Sequence, residues 1–422
     1  MLIEFRVKNF RSFKEEAVFS FVASNSHKEH QETHVAKIPD NVPFRVPGLL
    51  RSAAIYGANA SGKSNFIRAF QLMRALVSET ATLQPTQQLN VQPFVLDRES
   101  KELPVEMEVT FLLDGIRYQY GFSALPERIV GEWLLVYKTA KPQAWFRREY
   151  RPNAREEYQY AFGTGLLGQR HVWRQATRSN ALFLSVATQL NSEQLRPVFS
   201  WISSMVVLEN GGAPVLNHTV EHMLKNPGNQ VQGLLRSADI AIAGIDIDTK
   251  TVNTTGFKFD FATGQVENSG LEPREMKIPL FRHEAPKGSA TFEINDESEG
   301  TQRLFALAGP LFEIFKDGRV ICVDELDRSL HTLLVRQLVE MFHNSLINTG
   351  GAQLIFTTHD TSLLSADILR RDQIWFTEKT AGQDSRLFPL TELSTRKDEA
   401  FERGYLTGRY GAIPILNPLE VK

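Results

Sequence analysis

Apolar and polar positions alternate with a period of two at both edges of residues 1–21, which read as two short strands around a turn at Asn9–Ser12. Residues 52–56, Ser-Ala-Ala-Ile-Tyr, form a short apolar strand ending at Gly57. The pattern then changes to helical spacing, with Phe66, Ile67, Phe70 and Met73 on one face. Alternating runs return between residues 90 and 140. Two of them, Val105–Leu113 and Tyr118–Phe122, are joined through Asp114-Gly115, a strong hairpin signal. This part predicts an antiparallel sheet.

Helical spacing predicts helices over Ala181–Leu190, Ser192–Ile202, His218–Lys225 and Val231–Ser237. Strands are expected at Gly256–Phe261 and Lys277–His283. From residue 290 the order is apolar strand, helix, strand, helix, as a parallel α/β sheet requires. The expected organisation is an N-terminal half over 1–190, a mainly helical insertion over 191–275 and a C-terminal half over 276–422. Neither internal repeats nor low-complexity segments interrupt it.

Composition narrows the class without choosing a function. The 422 residues carry 42% hydrophobic and 23% charged side chains, ordinary values for a soluble globular chain. A formal net charge of −2 sets up no global field toward nucleic acid or an anionic membrane. Cys322 is the only cysteine, which excludes an internal disulfide and a cysteine-rich zinc site and fits the cytoplasm. The first residues lack a signal-peptide core, and no apolar run approaches the roughly 20 residues of a membrane span.

The chemistry starts at Gly57-Ala58-Asn59-Ala60-Ser61-Gly62-Lys63-Ser64, which matches G-x-x-x-x-G-K-[ST] and continues into Asn65. Glycines let such a backbone wrap tightly, so that several N–H groups point at phosphates. The helix that follows adds its positive end. Lys63 reaches the β- and γ-phosphates of ATP, and the Ser64 hydroxyl is suited to Mg²⁺. A preceding apolar strand and a following amphipathic helix separate this from a plain Gly-rich turn.

A second element is Val320-Ile-Cys-Val-Asp324-Glu325, an apolar run ending in two acids. It predicts a central strand of a parallel sheet, with Asp324 at its C-terminal edge beside the phosphate loop. Asp324 suits Mg²⁺ through its water shell, and Glu325 suits a general base that polarises water.

Three further stretches carry a family resemblance. Glu297-Ser298-Glu299-Gly300-Thr301-Gln302-Arg303 precedes a helix, with Ser298 26 residues before Asp324. Leu330-His331 follows the acids, and Gln353-Leu-Ile-Phe-Thr-Thr-His359-Asp360 ends a strand, with His359 34 residues after Glu325. In this order they resemble the signature, D-loop and switch histidine of ABC/SMC-like heads. The signature has the degenerate S-x-G form, and His331 stands where the usual D-loop acid would be. Asn9-Phe-Arg-Ser-Phe13 resembles the opening of RecF/SMC-like heads, which makes Lys8 and Arg11 candidates for touching nucleotide. Gln92 is the best placed Q-loop candidate.

The resemblance implies an α/β ABC/RecF-type P-loop NTPase head with an antiparallel β subdomain. It also implies an ATP- and Mg²⁺-dependent ATPase that closes as a homodimer or higher even oligomer. In such heads Ser298 and Gly300 would bind the γ-phosphate of ATP held by the other subunit, while Glu325, His359 and Lys63 act on it. About 230 residues separate the phosphate-loop helix from Ser298 without sustained heptads, unlike a long SMC coiled coil.

The chain more closely resembles AAA-type ATP-binding proteins of bacterial defence and abortive infection, related to the overcoming-lysogenization-defect ATPases and to the RloA and AriA subunits. Asn180–Ser185, Leu369–Phe376 and Gly404–Pro414 carry that likeness beside the motifs. It implies a separately encoded effector, with a nuclease as one class. The rival reading is a RecF-like repair ATPase that clamps DNA directly, and the lack of a basic stripe favours the former. A scaffold that hardly hydrolyses is a third reading, which the presence of Glu325 opposes.

Other constellations are given less weight. His218-Thr-Val-Glu221-His222 matches H-x-x-E-H, but the sequence offers no third ligand and a surface helix explains it. His27, His30 and His34 read as a solvated loop rather than a metal site. Arg147-Arg148 and Arg370-Arg371 read as surface or ion-pair residues.

Overall fold

A computed structural model describes residues 1–39, 42, 45–209, 216–259, 266–393 and 400–414, with the side chains of 252–274 left aside. Two sheets of different construction organise the larger of two compact units, Met1–Gly211 with Ile314–Arg328 and Val335–Lys422.

The first sheet is antiparallel throughout. Its seven strands run in the order Tyr158–Phe162, Gln143–Tyr150, Arg128–Tyr137, Ile116–Leu125, Val105–Leu113, Leu2–Lys8, Ala17–Ser20. The hairpin at Asp114-Gly115 turns with φ of 50° and 76°. Two successive left-handed residues match the twist of the flanking strands, which is why Asp-Gly suits this turn.

The second sheet has six strands in the order Val206–Leu208, Val320–Val323, Gln353–Thr357, Ser52–Gly57, Ile374–Lys379, Ser385–Pro389. All neighbours are parallel except the last pair. Ser52–Gly57, Val320–Val323 and Gln353–Thr357 are buried along their whole length. That accounts for their unbroken apolar runs in place of alternation.

The helix Lys63–Glu79 supplies much of the core. Phe70 stacks on Phe5 at 3.9 Å, and Phe66 meets Phe5 edge-on at 6.0 Å. Each buried Phe contributes about 2–3 kcal/mol by leaving water, and a paired ring about 1 kcal/mol more. A single amide welds the N-terminal strand to the parallel sheet: Gln353 accepts from Leu2 N–H and donates to the Leu2 and Leu50 carbonyls.

One arginine of each expected pair enters the interior, while Arg147 stays exposed and Arg371 half-buried. Arg148 and Glu132 are both fully buried, 3.8 Å apart. Glu132 accepts the Phe183 and Leu184 N–H groups and the Tyr120 hydroxyl, while Arg148 donates to the Ala181 and Arg178 carbonyls. Arg370 pairs with Asp372 at 2.7 Å, also buried.

The segment read as a solvated histidine loop is likewise tied down. His34 is buried, stacks on His343 at 3.6 Å and on His30 at 4.6 Å, and shares a 2.8 Å hydrogen bond with Gln373. Partners more than 300 residues away, invisible in the local polarity, hold it.

The smaller unit is Gly212–Glu313 with Ser329–Leu334. Its limits differ from the expected insertion, and the stretch 191–275 is not mainly helical. Helices Arg196–Ser203, Leu216–Lys225 and Gln230–Ser237 share it with Val206–Leu208, Gly244–Phe259 and the start of Val266–Ala285. The period-two run Ile245, Ile247, Thr249, Thr251 carries the strand well upstream of Gly256. Positions 260 and 261 of the expected strand lie outside the described residues. The two long strands pair antiparallel, with Gly288–Glu293 as the third strand of their sheet.

Within this unit the helix Leu216–Lys225 meets the helix Glu299–Asp317 near Pro310. The Thr219 hydroxyl donates to the Phe305 and Ala306 carbonyls and accepts from Gly309 N–H. His218 and His222 flank it and face Glu313, at 2.8 and 3.6 Å. Among the described residues no group of three His, Cys, Asp or Glu side chains is arranged to hold a metal ion.

Candidate nucleotide-binding site

The chemistry-bearing residues of the larger unit come from the C-terminal ends of three neighbouring parallel strands. Ser52–Gly57 leads into the phosphate loop, Gln353–Thr357 into His359, and Val320–Val323 into Asp324 and Glu325. The strand that carries His359 lies between the other two. Asp324 is therefore one strand removed from the loop rather than directly beside it. Chain order cannot reveal this, because each crossover leaves the sheet and re-enters at a position set by packing.

The loop is built for close approach. A Cβ on Gly57 would lie 2.4 Å from the Thr377 carbonyl oxygen, and one on Gly62 would lie 2.4 Å from Ser385 Oγ. Gly62 also has φ of 118°, where other residues are strained. Ser61 Oγ is bonded to Thr377 Oγ1 at 2.6 Å, pinning the middle of the loop to the next strand. Ala58, Asn59 and Ala60 are its outward part, with Asn59 and Ala60 exposed and Ala60 at φ of 60°. Ser64 and Asn65 open the helix, half-buried.

Lys63 is buried, and its ammonium donates to the Gly57 and Ala58 carbonyls at 2.7 and 3.1 Å. Burial pushes it below the ordinary lysine value, while Asp324, Glu325 and Asp327 push back. The charges of three carboxylates in a neighbouring loop thus act on this cation without an ion pair to it.

Thr357 fastens both acids of the pair. Its hydroxyl donates to Asp324 Oδ1 at 2.7 Å and accepts from Glu325 N–H at 2.7 Å. Asp324 is buried, whereas Glu325 is partly exposed and 3.9 Å from Arg328. Glu325 sits at φ of 52°, a left-handed conformation that turns the chain sharply after the strand.

Asp327 was not singled out by the sequence. Its carboxylate accepts from His359 N–H at 3.2 Å. Burial and the Lys63 charge push His359 down from the ordinary histidine value, against Asp327, Glu325 and Asp324. This balance favours the uncharged imidazole.

The N-terminal turn closes the other side. Ser12 Oγ accepts from the Asn65 amide at 2.8 Å, and the Ser12 carbonyl accepts from Ser385 N–H at 2.6 Å. Arg11 lines a cavity of about 280 Å³ shared with Arg68, Glu79 and Glu209. Burial and the Arg68 charge lower its guanidinium below the ordinary value, partly offset by Glu209. Arg11 N–H donates to the Gln92 carbonyl, and the Gln92 side chain is exposed. Lys8 lies on the sheet surface, 3.9 Å from Glu106.

Ser298 and Gly300 belong to the smaller unit. Ser298 is exposed and caps the helix Glu299–Asp317, its hydroxyl accepting from Thr301 N–H at 3.1 Å. A Cβ on Gly300 would lie 2.9 Å from the Ser329 carbonyl oxygen. His331 is exposed in the same unit.

The residues fit a magnesium nucleotide. Two glycines stand where a Cβ would collide, a buried ammonium rests on loop carbonyls, and a buried carboxylate is oriented by a threonine. The fold is α/β, with a parallel sheet that carries the phosphate loop and an antiparallel one beside it in the sequence.

The solved structures similar to this chain include two SMC heads. One is the SMC head domain from Thermotoga maritima, 14% identical over 92% of this chain and 98% of that one, with a TM-score of 0.39. The other is an SMC head bound to the C-winged helix domain of ScpA, 15% identical over 92% and 97%, with a TM-score of 0.36. No curated protein matches the sequence. The family model described as "AAA domain, putative AbiEii toxin, Type IV TA system" matches residues 52–365, and the chain belongs to this family of AAA domains.

Proposed function

We propose that this protein hydrolyses ATP at a site completed by a second copy of itself, and uses the cycle to control a separately encoded effector in anti-phage defence. The observation that carries the reading is Lys63, buried on its loop carbonyls and faced by Asp324, Glu325 and Asp327.

In this cycle the N–H groups of Gly57–Ser64 and the Lys63 ammonium bind the triphosphate. Ser64 and Asp324 would hold Mg²⁺, which when bound neutralises charge on the β- and γ-phosphates. Glu325 accepts a proton from water while the water oxygen bonds to the γ-phosphorus. The bond to the bridging oxygen breaks, leaving ADP and phosphate. Neutral His359 donates a hydrogen bond toward the γ-phosphate or the attacking water. Ser298 and Gly300 of the second copy meet that γ-phosphate, the exposed Ser298 at a helix start being suited to it. Loss of the γ-phosphate removes the docking surface, so hydrolysis shifts the pair from closed to open.

Effector control and defence rest on the family match, whose description contains a toxin–antitoxin term, and on the resemblance of the motifs. Within the described residues no helix is long and apolar enough to cross a membrane.

The test is ATPase rate against protein concentration, with mass from light scattering, for wild type, Glu325→Gln and Ser298→Arg. Rate per subunit should rise with concentration. Glu325→Gln should hold an ATP-bound dimer while turnover falls at least about 100-fold, and Ser298→Arg should abolish both dimer and turnover. A flat rate across monomer and dimer, with a silent Ser298→Arg, would replace this model by a site complete in one chain.

A further inference from the structure

Asp327 takes no step in the cycle above, yet it joins the loop of the acids to the segment of the histidine. It is half-buried and lies two residues past Glu325. Both oxygens of its carboxylate accept from the His359 N–H, Oδ2 at 3.2 Å and Oδ1 at 3.4 Å. Hydrogen bonds to an ionised acceptor are roughly twice as strong as those between neutral groups.

The contact completes a seam that begins in the sheet. Val320–Val323 and Gln353–Thr357 run parallel, with Val323 and Phe356 as their last paired residues. Beyond them the Thr357 hydroxyl accepts from Glu325 N–H at 2.7 Å, and the Thr357 carbonyl accepts from Leu326 N–H at 3.0 Å. Asp327 adds the third link, so that three successive residues of the acid loop are each bonded to the histidine segment. The residue after His359 is tied to the strand on the other side, the Asp360 carbonyl accepting from the Tyr56 hydroxyl at 3.1 Å. Tyr56 belongs to the strand that leads into the phosphate loop. The backbone is thus fastened at 359 to the acid loop and at 360 to that strand.

Glu325 and His359 leave different strands, and one water must be met by both. Their spacing tolerates little error, since a misplacement of about 1 Å can cost on the order of 100-fold in rate. We propose that Asp327 is a positioning residue that fixes His359 against Glu325, so that the two groups reach the attacking water together. The proposal rests on the ATP hydrolysis proposed above. The carboxylate acts through the His359 N–H, which sets the root from which the imidazole extends. Nucleotide itself is held by Gly57–Ser64, so loss of this contact leaves binding in place and falls on the chemical step.

The experiment uses the full chain. Asp327→Ala removes both the acceptor and the charge, whereas Asp327→Asn removes the charge and keeps an acceptor oxygen. Asp327→Ala should lower kcat about ten-fold without raising KM for ATP or Kd for a non-hydrolysable ATP analogue. Asp327→Asn should recover most of that loss. His359→Ala should lower kcat by itself, and adding Asp327→Ala to it should cost less than about two-fold more, because the carboxylate acts only through the histidine. Amide hydrogen exchange over residues 358–361 of nucleotide-free protein should be faster in Asp327→Ala than in wild type, with Asp327→Asn close to wild type. A merely structural role would lower the melting temperature and the active fraction, and would do so equally with His359 present or replaced. Equal losses of kcat in the two backgrounds, or unchanged kcat together with unchanged exchange, overturn the proposal. If wild type has no ATPase activity that Lys63→Ala abolishes, the proposed function fails instead, and the exchange measurement still decides whether Asp327 holds His359.

Discussion

The Thr219 hydroxyl fills the gap that Pro310 opens in the helix Glu299–Asp317. Proline has no N–H, so the Ala306 carbonyl one turn earlier loses its helical partner. Thr219 donates to that carbonyl at 3.1 Å and to the Phe305 carbonyl at 2.9 Å. Gly309 lets the two helices approach, since a Cβ there would stand 2.6 Å from Thr219 Cα.

Thr219→Val should therefore destabilise the protein by about 1–3 kcal/mol, because a buried carbonyl loses a compensating donor. The loss should shrink in a Pro310→Ala background, where residue 310 regains its N–H. Urea unfolding of the four proteins in a double-mutant cycle measures it. Equal losses in both backgrounds would show that the hydroxyl does not serve the proline gap.

Stability should fall as pH drops from 6.5 toward 4. Burial pushes His34 down to about 4 and His343 further below its usual value. Both are neutral in the folded chain and titrate near 6.5 when unfolded. The unfolded chain thus binds more protons in this window, and the free energy of unfolding rises with pH through it. His34 alone accounts for about 3 kcal/mol between those limits. Arg51 and Arg370 oppose protonation of the stack, and Asp372 favours it. Denaturant midpoints at several pH values check this, and His34→Phe should flatten the slope.

Arg148→Met should cost about 3–5 kcal/mol, since it leaves the Glu132 carboxylate buried without its cation. Glu132 caps the first turn of Phe183–Gln189 from inside the antiparallel sheet, so the loss should reach that helix as well. Adding Glu132→Gln to Arg148→Met should recover part of the stability, because a neutral amide needs no cation. Thermal unfolding of both variants tests the order. If the double variant is weaker than Arg148→Met, the carboxylate serves mainly as a cap.

What the sequence made legible was local. The spacing Gly57 to Ser64 prescribes a loop between a strand and a helix, and that is how the chain runs. The acids after Val323 and the histidine after Thr358 sit at strand ends for the same reason. Contacts between distant stretches stayed hidden. Asp327 reads as one more acid in a polar turn until His359 arrives beside it from another strand. Thr357 is an ordinary strand residue until Asp324 and Glu325 close on its hydroxyl. Arg11 was expected at the nucleotide by likeness to other openings, and its neighbours Arg68 and Glu209 in the cavity it lines come from distant stretches. His34 looked solvated because its neighbours in the chain are polar, while its neighbours in space are not in that stretch.

The strand Ser52–Gly57 pairs on one side with Gln353–Thr357 and on the other with Ile374–Lys379. Both partners are made about 300 residues later. During synthesis the phosphate loop thus emerges early and waits without a sheet to anchor it. Pairing of such sequence-distant strands is slow, because the entropy of closing the intervening chain must be met first. Nucleotide affinity should accordingly switch on late and abruptly, when residue 379 has cleared the ribosome, so that partly made chains do not compete for ATP.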